Sequence, residues 1–147
     1  MKFDYTKYIR TYLLSLTPYK SAREEYEAEG RPMTLLDANE NPFNSLVNRY
    51  PDPMQRELKK EIATWKGVDE NQIYLCNGSD EFISNVINGC CEPGKDSIMI
   101  VPPTFGMYKV SAKTYGVGIQ EVPLTSSFQL DVDSILEIAD ENSKIIF

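Results

Sequence analysis

Histidine is missing from all 147 residues. That absence removes the commonest general base, and no Ser–His or Cys–His nucleophile can be assembled from this chain. Any proton-transfer chemistry must therefore use another residue type, a cofactor, or residues outside these 147. Long apolar runs are missing too. The longest span only a few residues, against about 20 for a membrane-spanning helix. The opening "MKFDYTKYIRTYLLSLTPYK" distributes charge through its apolar positions and lacks the uninterrupted core of a secretory signal, so a cytoplasmic protein is expected. Basic charge is scarce: 15 Lys and Arg against 22 Asp and Glu give a net −7. No basic stripe is available for nucleic acid. Cysteine is limited to Cys76, Cys90 and Cys91. An odd number, two of them adjacent and no CxxC, argues for buried thiols over a disulfide scaffold or a zinc site. Asn77-Gly78-Ser79 matches a glycosylation sequon, discounted without a secretory signal.

What is present is an ordinary globular balance, 41% hydrophobic and 25% charged, in a chain long enough for one domain with a real core. No internal repeat or low-complexity segment interrupts it. Residues 1–35 read as an arm: "YIRTYLLSL" is a short amphipathic helix, followed by the polar "TPYKSAREEYEAEGRP". "LDANENPF" (36–43) is an extended polar loop, since the residue before Pro42 is pushed out of the helical region. Asp52-Pro53 with Gln55 has the pattern of a capped helix start, and Met54, Leu58, Ile62 and Trp65 fall on one apolar face up to Gly67.

From residue 72 strands and helices alternate. "QIYLC" reads as a strand, and Ser79 as the cap of a helix burying Phe82, Ile83, Val86, Ile87 and Cys90. "EPGKD" breaks it and "SIMIV" is the next strand. A helix over about 106–115, a strand in "IQEVPL", a helix in "DVDSILEIA" started by Asp131 or Asp133, and a strand in "KIIF" complete the pattern. The implied fold class is α/β with a parallel sheet covered on both faces. Because a domain rarely stops inside a newly begun strand, the chain is expected to be the front part of a longer protein.

Four segments carry possible chemistry. In "NGSDEF" (77–82), Gly78 allows close backbone approach, Ser79 offers a hydroxyl, and a helix start offers unpaired N–H groups to an anion. Taken alone a plain capped turn explains it better, with Asp80 and Glu81 complementing the helix dipole and repelling a phosphate unless they turn outward. Neither GxxxxGK[ST] nor GxGxxG occurs. In "VPPTFGMY" (101–108), Phe105 and Tyr108 follow a strand at the carboxyl edge where open α/β sheets bind ligands, and either ring could stack on a planar group. The alternative is a core phenylalanine. Tyr50 in "NRYPDP" could donate to an anion or be a half-buried tyrosine. Asn39, Glu40 and Asn41 supply polar groups that turn chemistry would also explain.

The order of these segments adds more than any one of them. "LTPYKSAR", "LDANENPF", "NRYPDP", "GSDE", "EPGKD" and "PPTFGMY" in succession resemble histidinol-phosphate aminotransferase, a pyridoxal-phosphate enzyme of fold type I, from about Leu16 to Phe147. The resemblance implies an arm (1–35) and an incomplete cofactor-binding large domain (36–147), with the rest of that domain and a small domain absent. It implies that Gly78, Ser79 and Asp80 hold the phosphate of pyridoxal 5'-phosphate through backbone N–H groups. Phe105 would stack on the pyridine ring, where relatives often have tyrosine. Tyr50 would reach the cofactor phosphate of the other subunit of a homodimer. Tyr19 would lie near the substrate phosphate, and Asn39 and Glu40 would line the substrate side.

The same resemblance places the cofactor-bearing lysine, the aspartate on the ring nitrogen and the arginine for the substrate carboxylate beyond Phe147, so no catalytic residue lies in this chain. Lys144 sits at a strand end and cannot be that lysine. The implied reaction interconverts imidazole-acetol phosphate plus glutamate and histidinol phosphate plus 2-oxoglutarate, in histidine biosynthesis. The 147 residues alone would be inert. No metal, nucleic acid or membrane partner is implied. Two alternatives stay open: another fold type I enzyme (a different aminotransferase or a phospho-amino-acid decarboxylase), or a non-catalytic binding or assembly module.

Overall fold

Ser97–Ile100 (β1) is the spine of the structure, and three of its four residues are buried. In the computed structural model, which describes residues 4–20, 34, 36–43 and 45–147, β1 pairs in parallel with Gly118–Glu121 (β2) and Ser143–Ile146 (β3). The strand order is β2-β1-β3. Ser97 stands opposite Gly118 and Ile100 opposite Glu121, whereas the β1–β3 register slips between Ser97 and Ile98. A strand flanked on both sides must be apolar on both faces, which is why "SIMI" does not alternate. Gly118 gives the chain room here: a Cβ would lie 3.1 Å from Ser97 Cβ and 3.3 Å from the Asp96 carbonyl oxygen, so β1 would have to shift by a few tenths of an ångström.

Gly78–Cys90 (α3) precedes β1 and Met107–Thr114 (α4) follows it. The two helices pack against each other and on the sheet, around Ile83, Ile87, Cys91, Ile98, Ile100, Ala112 and Val117. Each fully buried aliphatic side chain in that cluster contributes roughly 1.5–3 kcal/mol. Between the helices the Ser84 and Ser111 hydroxyls meet at 3.3 Å, which gives the buried Ser111 a polar partner. Val132–Ile138 (α5) is capped by Asp131, whose Oδ1 accepts from the Ser134 N–H at 3.1 Å and whose Oδ2 accepts from the Ser134 hydroxyl at 2.8 Å. Of the two aspartates near that start, Asp131 does the capping.

Packing divides the chain into two units, Met1–Leu16 with Cys76–Phe147, and Thr17–Leu75. This grouping is distinct from the division at residue 35 drawn from sequence. In the first unit Thr11–Leu14 (α1) is the short helix expected in "YIRTYLLSL". The second unit contains Arg56–Lys66 (α2), ended as expected by Gly67 at φ +66°. The arm's residues 1–3, 21–33 and 35 lie outside the described residues.

Five expectations need correction. "QIYLC" pairs with no strand among the described residues; Glu70–Gln72 forms a 3₁₀ turn and Ile73 leaves it extended. Helix α3 begins at Gly78 with Asn77 at the cap position, so Ser79 lies inside the first turn and caps nothing. Asp52 does accept backbone bonds, from the Met54 and Arg56 N–H groups at 2.9 Å each, but it starts a helix at Arg56 because Gln55 adopts φ +52°. The capping box forms instead at Asp69 and Gln72. Finally, the apolar face of α2 is largely exposed: Leu58 and Trp65 face solvent and only Ala63 is buried. Phe82, assigned to the buried face of α3, is likewise 46% exposed.

Candidate functional site

Short connections join α3 to β1 (91–96) and β1 to α4 (101–106). Both helices must run back past the sheet, so both N-termini lie at its carboxyl edge, where open α/β sheets bind ligands. The chain enters α3 through a tight turn. Gly78 has φ +74°, and a Cβ built there would meet nothing within 4 Å. The Gly78 N–H donates to the Cys76 carbonyl at 3.1 Å, and the Cys76 thiol donates to the Gly78 carbonyl at 3.2 Å. The Asn77 N–H donates to Glu81 Oε2 at 2.6 Å.

These bonds sort the groups at the helix start. A first helical turn leaves its N–H groups without intrahelical acceptors. With those of Asn77 and Gly78 taken, the N–H groups of Ser79 and Asp80 are the donors on offer, in the positive field of a 13-residue helix. Glu81, one of the two carboxylates that would repel an anion, is folded back onto the Asn77 N–H.

The second element at this edge is an aromatic row. Phe105 is half exposed. Its ring meets Tyr108 edge to face, with centroids 5.7 Å apart and planes at 85°. Tyr108 lies flat on Phe147, at 4.4 Å and 11°. Phe105 is therefore anchored at one side while half its surface stays open, which is what a stacking face requires and a core phenylalanine lacks. Behind this edge, burial pushes the Cys91 thiol up to about 11, so it stays protonated and unreactive at neutral pH.

The remaining candidates lie in the Thr17–Leu75 unit. Tyr19 is 89% exposed and Asn39 is exposed. Tyr50 is 61% exposed, with its phenol outside any core. Glu40 differs: its side chain is only 5% exposed, Oε2 pairs with the Arg49 guanidinium at 2.6 Å, and Oε1 accepts the Tyr50 N–H at 2.8 Å. Two further bonds stiffen the same loop. Asn41 Oδ1 accepts from the Phe43 N–H at 3.0 Å, and Asn48 Nδ2 donates to the Asn41 carbonyl at 3.1 Å. Two residues on, the Arg56 N–H and then the Met54 N–H hold the Asp52 carboxyl below its usual range.

Gly78, Ser79, Asp80 and Phe105 thus share the sheet unit, while Tyr19, Asn39, Glu40 and Tyr50 share the other. Sequence reasoning missed Glu81 as a partner of the turn and Arg49 as a partner of Glu40. A carboxylate four residues after Asn77 was the only signal for the first. Nothing but opposite charge nine residues apart marked the second. Among the described residues no group of three or more His, Cys, Asp or Glu could hold a metal ion, and no helix is long and apolar enough to cross a membrane.

Known proteins resemble this chain in sequence and fold. A histidinol-phosphate aminotransferase of Cytophaga hutchinsonii is 48% identical over 151 residues, covering all of this chain and 43% of that protein. One of Parabacteroides distasonis is 47% identical over 144 residues, covering 98% of this chain and 41% of that protein. The chain therefore spans about four-tenths of the length of the curated relatives it matches. Among solved structures, the histidinol-phosphate aminotransferase from Clostridium acetobutylicum superposes with a TM-score of 0.53 at 27% identity, over 62% of this chain and 26% of that one. N-Succinyldiaminopimelate aminotransferase from Mycobacterium tuberculosis matches in fold, with a TM-score of 0.55 at 24% identity over 68% of this chain and 29% of that one. The family model described as aminotransferase class I and II covers residues 29–147. With the parallel α/β sheet and the neighbours' fold type I architecture, these matches place the chain in the aminotransferase class I and II family.

Proposed function

We propose that this chain is the cofactor-anchoring front part of a pyridoxal-phosphate-dependent histidinol-phosphate aminotransferase. The intact protein would be a cytoplasmic homodimer interconverting imidazole-acetol phosphate plus glutamate and histidinol phosphate plus 2-oxoglutarate, within histidine biosynthesis. The observation that carries the substrate is the 48% identity to a histidinol-phosphate aminotransferase across the whole chain. The observation that supports the cofactor is the open turn into α3, where Gly78 leaves space that a Cβ would enter.

The residues fit a phosphate in kind. Ser79 and Asp80 offer backbone N–H donors, Ser79 adds a hydroxyl, and the helix field favours the anion. Glu81 has one carboxylate oxygen folded back onto the Asn77 N–H. The Asp80 carboxylate must turn away from the anion it helps to bind. Phe105 supplies the stacking face, and Tyr108 and Phe147 hold it in place. Tyr50 would donate its phenol to the cofactor phosphate bound by the partner subunit. Tyr19 would lie beside the substrate phosphate, and Asn39 and Glu40 on the substrate side of the site. Pyridoxal 5'-phosphate, when bound, supplies the electron sink that makes the substrate Cα–H bond acidic. This chain binds and orients. None of the residues assigned here moves that proton, and the 147 residues alone would be inactive.

Steady-state kinetics of the intact protein test the substrate. A kcat/KM with imidazole-acetol phosphate at least tenfold above that with other 2-oxo substrates is expected. Equal values across the panel would overturn the assignment and leave another aminotransferase specificity in its place.

A further inference from the structure

We infer that Glu40 is a positioning residue that acts through Tyr50, and that it does so from the backbone side of that tyrosine. The assignment rests on the reading of Tyr50 as a donor to the cofactor phosphate.

Tyr50 presents a physical problem. The residue is 61% exposed and belongs to no buried cluster, so core packing does not fix where the phenol points. A side chain in that position is aimed by its backbone. Pro51 follows it and restricts Tyr50 to extended conformations, which narrows ψ. The other soft angle, φ, is set by whatever holds the Tyr50 N–H. That acceptor is Glu40 Oε1 at 2.8 Å. With both dihedrals limited, the Cα–Cβ direction is set and only χ1 and χ2 remain free.

Glu40 is itself well placed to act as a fixed point. Its carboxylate is almost wholly shielded, whereas the Arg49 guanidinium that pairs with Oε2 is 64% exposed. The exposed arginine holds Oε2 and so directs Oε1 to the Tyr50 N–H, and a hydrogen bond to a carboxylate is stronger than one between neutral groups. The loop that carries Glu40 is braced independently by Pro42, by Asn41 to Phe43, and by Asn48 to Asn41. The loop 39–43 and the segment 48–50 are thus cross-linked at several points, and Glu40 makes the link that ends on the tyrosine. Oε2 is engaged by Arg49 and Oε1 by the Tyr50 N–H, and the second of these bonds is the route to the tyrosine.

The test uses the intact protein and two cofactor forms, pyridoxal 5'-phosphate and pyridoxal, which lacks the phosphate. Dissociation constants are measured for the parent, Glu40→Ala, Tyr50→Phe and the double variant, together with hydrogen exchange of the Tyr50 amide in the cofactor-free protein. Glu40→Ala should speed Tyr50 exchange at least tenfold. It should weaken pyridoxal 5'-phosphate about tenfold and leave pyridoxal within twofold. The double variant should bind no more than twofold worse than Tyr50→Phe alone. A general structural role would instead weaken both cofactor forms alike and add in full to the loss from Tyr50→Phe; that result overturns the inference. Parent-like exchange and affinity in Glu40→Ala, with Tyr50→Phe impaired, overturn Glu40's part alone. Parent-like affinity in Tyr50→Phe overturns the reading of Tyr50 and the inference with it. Should Glu40→Ala fail to fold, Glu40→Asp keeps the charge but withdraws the acceptor, and the same losses are expected at smaller size. Arg49→Ala removes the group that directs Oε2, so it should speed Tyr50 exchange and weaken pyridoxal 5'-phosphate in the same direction as Glu40→Ala, by no more than about threefold.

Discussion

Tyr108 lies flat on Phe147, with ring centroids 4.4 Å apart and planes 11° from parallel, and meets Phe105 edge to face at 5.7 Å. The pair ties the first turn of α4 to the end of β3, since the Phe147 N–H also donates to the Met99 carbonyl of β1 at 2.9 Å. An exposed ring next to this stack inherits its rigidity. Aromatic pairs of this kind contribute about 0.5–1.5 kcal/mol beyond the area they bury.

Replacing Phe105 should therefore separate stacking from stability. Phe105→Leu removes a half-exposed ring, so the intact protein should lose at most about 1 kcal/mol in urea unfolding. Its affinity for pyridoxal 5'-phosphate should fall by roughly tenfold, equivalent to about 1.4 kcal/mol. Phe105→Tyr keeps the face and should retain affinity within a few-fold. Tyr108→Ala should show the opposite balance, with a larger stability loss. Equal affinity in Phe105→Leu and the parent would remove Phe105 from the site.

Gly78→Ala isolates backbone geometry from packing. At φ +74° an alanine is strained by about 1 kcal/mol, although nothing stands within 4 Å of the added Cβ. Thermal unfolding should show that loss in the cofactor-free protein. If the space beside Gly78 is where a phosphate sits, the same methyl should weaken pyridoxal 5'-phosphate further than strain alone explains. Gly78→Asn, which tolerates positive φ better, should recover the stability and leave the affinity low. Recovery of both would mean the space is unused.

How much of this was visible in the sequence depends on the range over which each residue acts. β1, α4, β2, α5 and β3 were legible because apolar runs, breakers and the Asp131 cap report on their own neighbours. The helix start at residue 56 was not, because Gln55 adopts a left-handed conformation that nothing in "DPMQRE" demands. "QIYLC" looked like a strand because propensity describes a segment, while a strand also needs a partner, and none pairs with it among the described residues. At the site, Gly78 and Phe105 were legible as a turn and an aromatic after a strand. The clasp of Glu40 on Arg49 and Tyr50 was not, since its three residues are brought together by a loop whose path no periodicity encodes.

The three cysteines should differ in reactivity. Burial pushes the Cys91 thiol up to about 11 and raises that of Cys90 as well. A thiol raised in the folded state stays protonated while its unfolded counterpart, near 8.5, ionises. Folding is therefore unaffected below about pH 8.5 and is progressively weakened as pH rises toward 11. Iodoacetamide at pH 8 should label Cys76 well before Cys91, and mass spectrometry of the digested protein reads the order. Cys91 should become reactive only in denaturant. Rapid labelling of Cys91 in the native protein would contradict its burial.

Helix α3 has no basic residue in its own last turn. Its C-terminal carbonyls are met instead by Arg10, more than seventy residues earlier in the chain. The Arg10 N–H donates to the Gly89 carbonyl at 2.9 Å, Nη1 to the Asn88 carbonyl at 3.1 Å, and Nε and Nη2 to the two carboxylate oxygens of Glu92 at 3.0 and 3.3 Å. A planar fork with its side chain only 16% exposed can satisfy helix carbonyls and a carboxylate together, which an ammonium cannot. Arg10→Ala should therefore cost about 1–2 kcal/mol, from charge-assisted bonds that are partly shielded. Arg10→Lys should recover less than half of that. The loss should also be local in origin: limited trypsin digestion should cut near Lys7 faster in Arg10→Ala at temperatures where the sheet unit stays folded. Should the two proteins be cut there at the same rate, the first residues are held to the sheet unit by something other than this clasp.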